Sequence, residues 1–429
     1  MKTLLTLTLL SSSLLTFSQN FDKRIEKMTN ATEKQVIDWR HWFHENAELS
    51  NREFKTADRI ASILTEIGYE PKTGIAKTGV VAVLEGGKPG PVVGLRADID
   101  GLPVKERADI PWASKQMGEY NGEQVPVMHA CGHDTHLSIL LGVAKMLWEM
   151  KDQVPGTVKF IFQPAEEGAP EGEEGGAELM VKEQVLKNPD VDVIFGLHID
   201  SRVPVGILQV RPEGILAASN SFRIDIKGKQ THGSEPWYGT DPIVTAAQII
   251  NNLQTVVSRN AQLTKAPAVV SIGAIHSGVR NNIIPEDLYM LGTIRTLDPE
   301  MKEMVLKRVR EEATKTAESN NAEITIKIDK GNPVTFNEPS LFNQMLPTLK
   351  RMAGEGNVEI MDPITGAEDF SFFQEQIPGL YFQIGGCPES TDPNTAAAHH
   401  TPDFYVDDAG MKLGMKAMMG LTLDYLRNN

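Results

Sequence analysis

The sequence predicts an α/β protein of two domains, one inserted into the other. Three observations carry that expectation. Short continuous apolar runs alternate with helical stretches along the first half, as in a sheet covered by helices. Strictly alternating strands near the middle frame a β-α-β-β-α-β order. At 429 residues the chain is longer than one hydrophobic core usually serves. Its 41% hydrophobic and 23% charged residues match an ordinary folded protein and exclude intrinsic disorder. A net charge of −15 offers no cationic footprint, so nucleic acid is not an expected partner.

The elements follow in chain order. Residues 1–18 hold one charge, Lys2, then the apolar run Leu4–Leu15 and a Thr16-Phe17-Ser18 end. This reads as a signal peptide cleaved before Gln19, so an exported protein, periplasmic or secreted, is expected. The run is too short for a bilayer, and no later stretch approaches the ~20 apolar residues of a membrane span. From Thr32 to about Gly68 the pattern is helical, with Val36, Trp39, Trp42 and Phe43, then Ala57, Ile60, Ile63 and Leu64. Val80–Leu84, Val92–Leu95, Val158–Phe162 and Val191–Leu197 read as strands, with helices over Leu137–Met150 and Glu178–Leu186.

Ser221–Lys227 then alternates, with Phe222, Ile224 and Ile226 on one face. Asp241-Pro242 opens a helix expected to bury Ile243, Ala247, Ile250, Leu253 and Val257. Strands Ala268–Ile275 and Leu288–Leu297, a helix opened by Asp298-Pro299, and a strand with Ile324, Ile326 and Ile328 complete a ferredoxin-like module of residues 214–330. It separates 19–213 from 331–429, where Leu341–Met352 and the strand Leu380–Ile384 resume the first domain.

The ten histidines gather at a few places. His129, His133 and His136 surround Cys131. Cys131 and His133, two apart in an expected extended segment, would project the same way. The strand ending at Phe162 runs into Gln163-Pro164-Ala165-Glu166-Glu167-Gly168, the strand ending at Leu197 into His198, and His399-His400-Thr401-Pro402 comes near the end. In open α/β sheets such strand ends are where ligands bind. Thiolate, imidazole and carboxylate together suit zinc, and the carboxylate adds tolerance for manganese or cobalt. Cys131, His133, Glu167, His198 and His400 exceed one tetrahedral site and fit two cations sharing a ligand. Glu166, beside a ligand but turned differently, is left to take a proton from water.

Blander readings exist for each. Single histidines are more often caps or core residues than ligands. Glu166-Glu167 with the glutamates that follow could be a solvated loop, and His399-His400 an exposed pair. Cys131 could act as a thiol nucleophile beside a histidine, or pair with Cys387, the only other cysteine. His44-Glu45-Asn46-Ala47-Glu48 begins like a zinc-binding helix but has Glu48 where the second His belongs, and reads as a surface helix end.

Arg96-Ala97-Asp98-Ile99-Asp100-Gly101-Leu102-Pro103, the Cys131–His136 block, Gln163–Gly168, Gly366-Ala367-Glu368-Asp369-Phe370 and His400-Thr401-Pro402 resemble the aminoacylase/carboxypeptidase metallohydrolases. The similarity is to the amidohydrolase branch with hippurate hydrolases, N-acyl-amino-acid amidohydrolases and indole-acetyl–amino-acid hydrolases. It implies a two-metal catalytic domain with a mixed sheet and flanking helices, interrupted by a ferredoxin-like lid that often dimerises in the family. Each subunit would hold two divalent ions, manganese or zinc, with cobalt or nickel as alternatives. Cys131, His133, Glu167, His198 and His400 would be ligands, Cys131 bridging, with His399 the alternative to His400. Glu166 would be the general base and acid, Asp98 and Asp100 would orient ligands, and His232 would reach the scissile carbonyl, commonly from the partner subunit. Asn282 and Arg295 would hold a substrate carboxylate. The expected reaction is hydrolysis of the amide bond of an N-acyl amino acid or a similar amino-acid conjugate. A secreted dipeptidase or carboxypeptidase on the same site, or an inactive metal-binding protein, are the rivals. Pro236-Trp237 departs from the Pro-His often found there.

Overall fold

The computed structural model describes residues 2–429, with side chains from Phe21 onward. The segment read as a signal peptide, 1–18, lies outside the residues described in full. The chain forms two compact units: Met1–Pro212 with Asn337–Met361 and Phe372–Asn429, and Glu213–Phe336 with Asp362–Ser371.

In the first unit, α1 (Lys2–Glu45) buries Val36, Trp39 and Phe43, and α2 (Phe54–Ile67) buries Ala57, Ile60, Ile63 and Leu64, three and four residues apart. The single helical stretch expected over 32–68 is broken at 46–53. There the backbone of Asn51 turns through φ +60° and Glu53 is fully buried, so tertiary contacts override a helical pattern. The helix ends at Glu45 as read, but His44 is not at the surface: it is 3% exposed, held by Asp134 and Glu106.

The sheet consists of β1 (Lys72–Ile75), β2 (Gly79–Glu85), β3 (Lys88–Asp98), β4 (Pro155–Gln163), β5 (Val193–Pro204), β6 (Leu208–Val210), then β11 (Val358–Ile360) and β12 (Gly379–Cys387). The strands between, β7 to β10, belong to the second unit. Spatial order is β1-β2-β4-β3-β5-β12-β6-β11. β3 runs parallel to both β4 and β5, and β5 parallel to β12, while β1, β2 and β6 bring antiparallel pairings. Val193 to Phe195 and Leu380 to Ile384 are buried throughout, the continuous apolar pattern of inner strands. Helix α3 (His133–Glu149) and the late helices α6 (Pro339–Ala353) and α7 (Gly410–Asn428) close the core with Leu140, Leu147, Leu349, Met415 and Leu421. Each such fully buried apolar side chain contributes roughly 1.5–3 kcal/mol.

The second unit carries β7 (Ala218–Lys227), α4 (Pro242–Thr255), β8 (Ala268–Ser277), β9 (Asp287–Thr296), α5 (Pro299–Ser319) and β10 (Glu323–Ile328). Its four-stranded antiparallel sheet has the order β8-β9-β7-β10. Phe222 lies opposite Gly292, where a Cβ would come within 2.1 Å of the Phe222 ring, so only glycine fits. Asp241 accepts the Ile243 and Val244 N–H groups and Asp298 that of Met301, capping both helices, each with proline at its first position. Of the expected face of α4 only Leu253 is fully buried, with Ala246 and Ile249 beside it: Ile243 is 46% exposed, Ala247 is exposed, and Ile250 and Val257 are only partly covered. Asp362–Ser371 joins this unit through hydrogen bonds of Ile364 N–H to Ile215 and of Ala217 N–H to the Gly366 carbonyl. No helix among the described residues is long and apolar enough to cross a membrane.

Candidate metal centre

The site stands at the carboxyl ends of β3 and β4 and along β5. Asp98 ends β3 opposite Gln163 at the end of β4. The chain then carries Asp100 from one strand and Glu166-Glu167 from the other. His198 is not past the end of its strand: β5 continues to Pro204, and His198 pairs with Gln383 of β12. Cys131 and His133 do not share an extended segment either. Gly132 turns at φ +94° and His133 is the first residue of α3.

The donor atoms nevertheless converge. Within groups whose ligand atoms lie no more than 4.8 Å apart stand Cys131, His198 and His399; Cys131, Glu167 and His400; and His133, Glu166 and Glu167. Cys131 belongs to two of these groups, as does Glu167. Cys131 Sγ is 3.3 Å from His198 Nε2 and 3.6 Å from His399 Nδ1, and His400 Nε2 is 3.0 Å from Glu167 Oε1. Two backbones beside the cluster take the left-handed conformation without being glycine, Ala165 at φ +52° and His400 at φ +63°, a strain commonly stored at functional sites.

Ring nitrogens sort the histidines. His133 Nδ1 faces Asp100 Oδ1 at 3.1 Å, and His198 Nδ1 faces the Ile199 carbonyl at 2.7 Å. Each Nδ1–H therefore donates, leaving Nε2 facing the cluster, where on His133 a metal ion would take the place of a proton, the arrangement typical of metal-binding histidine. His133 Nε2 is buried with no hydrogen-bond partner and stands 3.8 Å from Glu166 and 3.9 Å from Glu167, too far for hydrogen bonds. His136 has no such lone pair, because Nδ1 is bonded to Asp98 at 2.6 Å and Nε2 accepts the Ile199 N–H. His399 Nε2 accepts the Ser201 N–H at 3.2 Å, so in its neutral form Nδ1 carries the proton. His129 is buried, both nitrogens lack partners among the described residues, and it belongs to none of the ligand groups.

Electrostatics favour a cation here. Burial opposes charge on His133, but Asp98 and Asp100 overcome it and hold the ring up to about 10. Burial, with Glu167 and Glu166 nearby, pushes the Cys131 thiol well above its usual range, so its thiolate needs a positive partner. Burial depresses His198 to about 4, which keeps its ring neutral. Asp98 stays ionised although burial opposes this, because His133, His136 and Arg96 surround it. Softer thiolate, two imidazole nitrogens and carboxylate, with orphaned buried Nε2, fit a divalent metal. Both cysteines are free.

In the second unit His232 and Asn282 come together: the residues 231–232 and 283–284 form a short ladder, and Gly233 N–H donates to the Asn282 carbonyl. Both are exposed. Ser234 N–H donates to His232 Nδ1 at 3.1 Å, so the neutral ring presents Nε2–H outward. Arg295 belongs to a different ladder, on β9, with its guanidinium on Thr293 and the Ile294 carbonyl. Glu53, Ser50 and Arg40 escaped the sequence reading. Their only signal was polar residues breaking or lining an otherwise apolar helical pattern.

This fold and donor set define a candidate metallohydrolase, its donors gathered about the ends of β3 and β4 and along β5. The chain belongs to peptidase family M20/M25/M40, whose model matches residues 94–424, and it is an enzyme acting on amide bonds. It is 37% identical to thermostable carboxypeptidase 2 of Saccharolobus solfataricus, covering 94% of this chain and 98% of that one. It is 33% identical to the N-acetyl-L-cysteine deacetylase of Bacillus subtilis, over 88% of this chain and 85% of that one. Among solved structures, the Bacillus subtilis YXEP protein, a dinuclear metal binding peptidase of the M20 family, superposes with a TM-score of 0.77 at 32% identity, over 93% of this chain and 100% of that one.

Proposed function

We propose that the protein is an exported, metal-dependent amidohydrolase that releases an amino acid from an N-acyl amino acid. The single observation that carries this reading is the pair His133 and His198. Both have Nδ1–H tied down and Nε2 turned to a cluster holding Cys131, Glu167 and Glu166. Cys131, His133, Glu167, His198 and His400 would hold two divalent ions, manganese or zinc, Cys131 being a member of two of the donor groups. His400 is preferred to His399 because the Ser201 N–H occupies His399 Nε2 and leaves its Nδ1 protonated. When bound, the ions supply Lewis-acid polarisation of the carbonyl and a more acidic water.

The chain's own groups do the rest. Asp100 accepts the His133 Nδ1–H with one oxygen, and the Ser50 hydroxyl and Glu167 N–H with the other, so one buried carboxylate orients two ligands. Glu166 takes the proton of the attacking water and returns it to the leaving amine. By the family resemblance, His232 Nε2–H, of this or a partner subunit, would stabilise the developing oxyanion, and Asn282 and Arg295 would hold the amino-acid carboxylate. The inserted unit would act as lid and dimer contact. β8 is the edge strand of its sheet, with Val269 and Ile275 37% and 48% exposed. Dipeptide cleavage on the same site is the second reading, favoured by the carboxypeptidase relative.

Glu166→Gln tests the chemistry. Metal content should stay at the wild-type level while turnover falls about 100- to 10,000-fold, the range of a lost acid–base group. Near-normal turnover of that variant would remove Glu166 from the mechanism.

A further inference from the structure

The break between α1 and α2 packs against the loop that carries Glu166. Four consecutive residues, Ser50 to Glu53, each bond to that loop or to Asp100 beneath it. Ser50 Oγ donates to Asp100 Oδ2 at 2.7 Å, and the same oxygen accepts the Glu167 N–H at 3.0 Å. Asn51 Nδ2 donates to the Glu174 carbonyl at 3.0 Å and to Glu173 at 3.1 Å. Arg52 pairs with Glu173, which Lys77 also reaches. Glu53 is 0% exposed; its Oε1 accepts the Ala165 N–H at 2.8 Å and its Oε2 the Thr78 hydroxyl at 2.6 Å.

Thus the residues on either side of Glu166 are gripped by two buried carboxyl groups, Ala165 by Glu53 and Glu167 by Asp100. Asp100 has an evident reason to be there, since it also orients His133. Glu53 belongs to none of the metal-donor groups among the described residues. Yet a fully buried carboxyl is costly unless bonded, and Glu53 directs one oxygen at a residue in a strained conformation, Ala165 at φ +52°. An alanine there favours the extended or right-handed backbone. Relaxing it would re-aim the following Cα–Cβ bond, which is that of Glu166.

We propose that Glu53 is a positioning residue, whose bond to the Ala165 N–H holds the left-handed backbone that aims the Glu166 carboxylate. The inference rests on Glu166 being the proton carrier. Burial beside Asp100 pushes the Glu53 carboxyl up toward its neutral form, so glutamine reproduces its shape, its acceptor and its partner to Thr78. Aspartate, one methylene shorter, loses the reach.

The test compares Glu53→Gln, Glu53→Asp and Glu53→Ala in the metal-loaded, full-length enzyme. Turnover is followed on whichever amide substrate the wild type cleaves, alongside metal content and hydrogen exchange of the peptide spanning residues 164–167. For the Asp and Ala variants, kcat should fall about 10- to 100-fold, as for other supporting partners of metal sites, with metal content unchanged. KM should stay within about twofold, because the bond is felt in the chemical step rather than in binding. Exchange over 164–167 should quicken in both, and Glu53→Gln should restore both readouts to within about threefold. Equal behaviour of the Gln and Asp variants, unchanged exchange in Glu53→Asp, or a loss that only follows metal content would overturn the proposal. If Glu53→Ala does not fold, the Gln and Asp pair decides. Wild-type cleavage of dipeptides alone would sink the substrate reading and leave the Glu53 comparison standing on dipeptides. Without any turnover, the exchange data decide it.

Discussion

The two units of the molecule are built by opposite rules. The second has an interior of Phe222, Ile224, Ile249, Leu253, Met290, Val305 and Val309, with Asp298, Glu368 and Asp369 as its buried carboxylates. The first buries Arg40, Glu53, Arg96, Asp98, Asp100, Asp134 and four histidines besides its apolar core. Buried charge is weak evidence for stability, since desolvation offsets most of the Coulombic gain. The contrast teaches that the first unit gathers buried charged groups around its donor cluster, whereas the second, with few buried carboxylates, is held mainly by apolar packing.

Chelation should break the contrast most sharply. Removing divalent ions should abolish turnover, and readdition of manganese or zinc should restore it. The same treatment should lower the melting temperature, because ions that bind only the folded state stabilise it by mass action. Retention of full activity after exhaustive chelation would mean that the buried polar cluster serves something else.

Leu253→Ala, at 0% exposure, should show the converse. It should destabilise the second unit by about 2–5 kcal/mol through the lost side chain and its cavity, in a denaturant titration that leaves metal content unchanged. A change below about 0.5 kcal/mol would show that this core is less tightly packed than the burial implies.

The histidine pair sharpens the account of the first unit. His400→Ala should lower metal content and reduce turnover by about 100-fold, and His399→Ala by about tenfold or less, the range spanned by ligands and their supporting partners. The reverse order, read by metal analysis and kinetics together, would exchange their roles.

The smallest effect should be on pH dependence. His44 is buried against Asp134 and Glu106, with Arg40 and His129 close by. Burial opposes its charge, but Asp134 and Glu106 overcome this and raise the ring from 6.5 to about 9. A raised histidine contributes stability that is complete below 6.5 and lost as pH rises through 9. The denaturation midpoint should therefore fall across that window, and His44→Gln should flatten the fall. An equally steep fall in His44→Gln would place the titration elsewhere.

Legibility in the sequence follows the same division. The second unit was readable from alternation and Asp-Pro helix starts, because nothing there competes with packing. Only the face of α4 was read about one residue out of phase. In the first unit the motifs located the donors, but periodicity misplaced their surroundings. The stretch 32–68 looked like continuous helix because polar residues at 46–53 resemble a solvated face, whereas Ser50, Asn51 and Glu53 among them are buried as braces. Cys131 and His133 looked extended because the left-handed turn at Gly132 is invisible to a two-residue spacing. The tautomers that set His136 and His399 apart from His133 and His198 depend on backbone N–H groups remote from them in the chain, Ile199 and Ser201, which no local pattern encodes.

The most direct test of the central claim is amino-acid release from a panel of N-acyl amino acids and dipeptides, by enzyme reloaded with manganese or zinc. The expected result is release from acyl substrates in preference to dipeptides, dependent on the metal and on Glu166. Preferential cleavage of dipeptides, or no release from either with the metal sites filled, would contradict it.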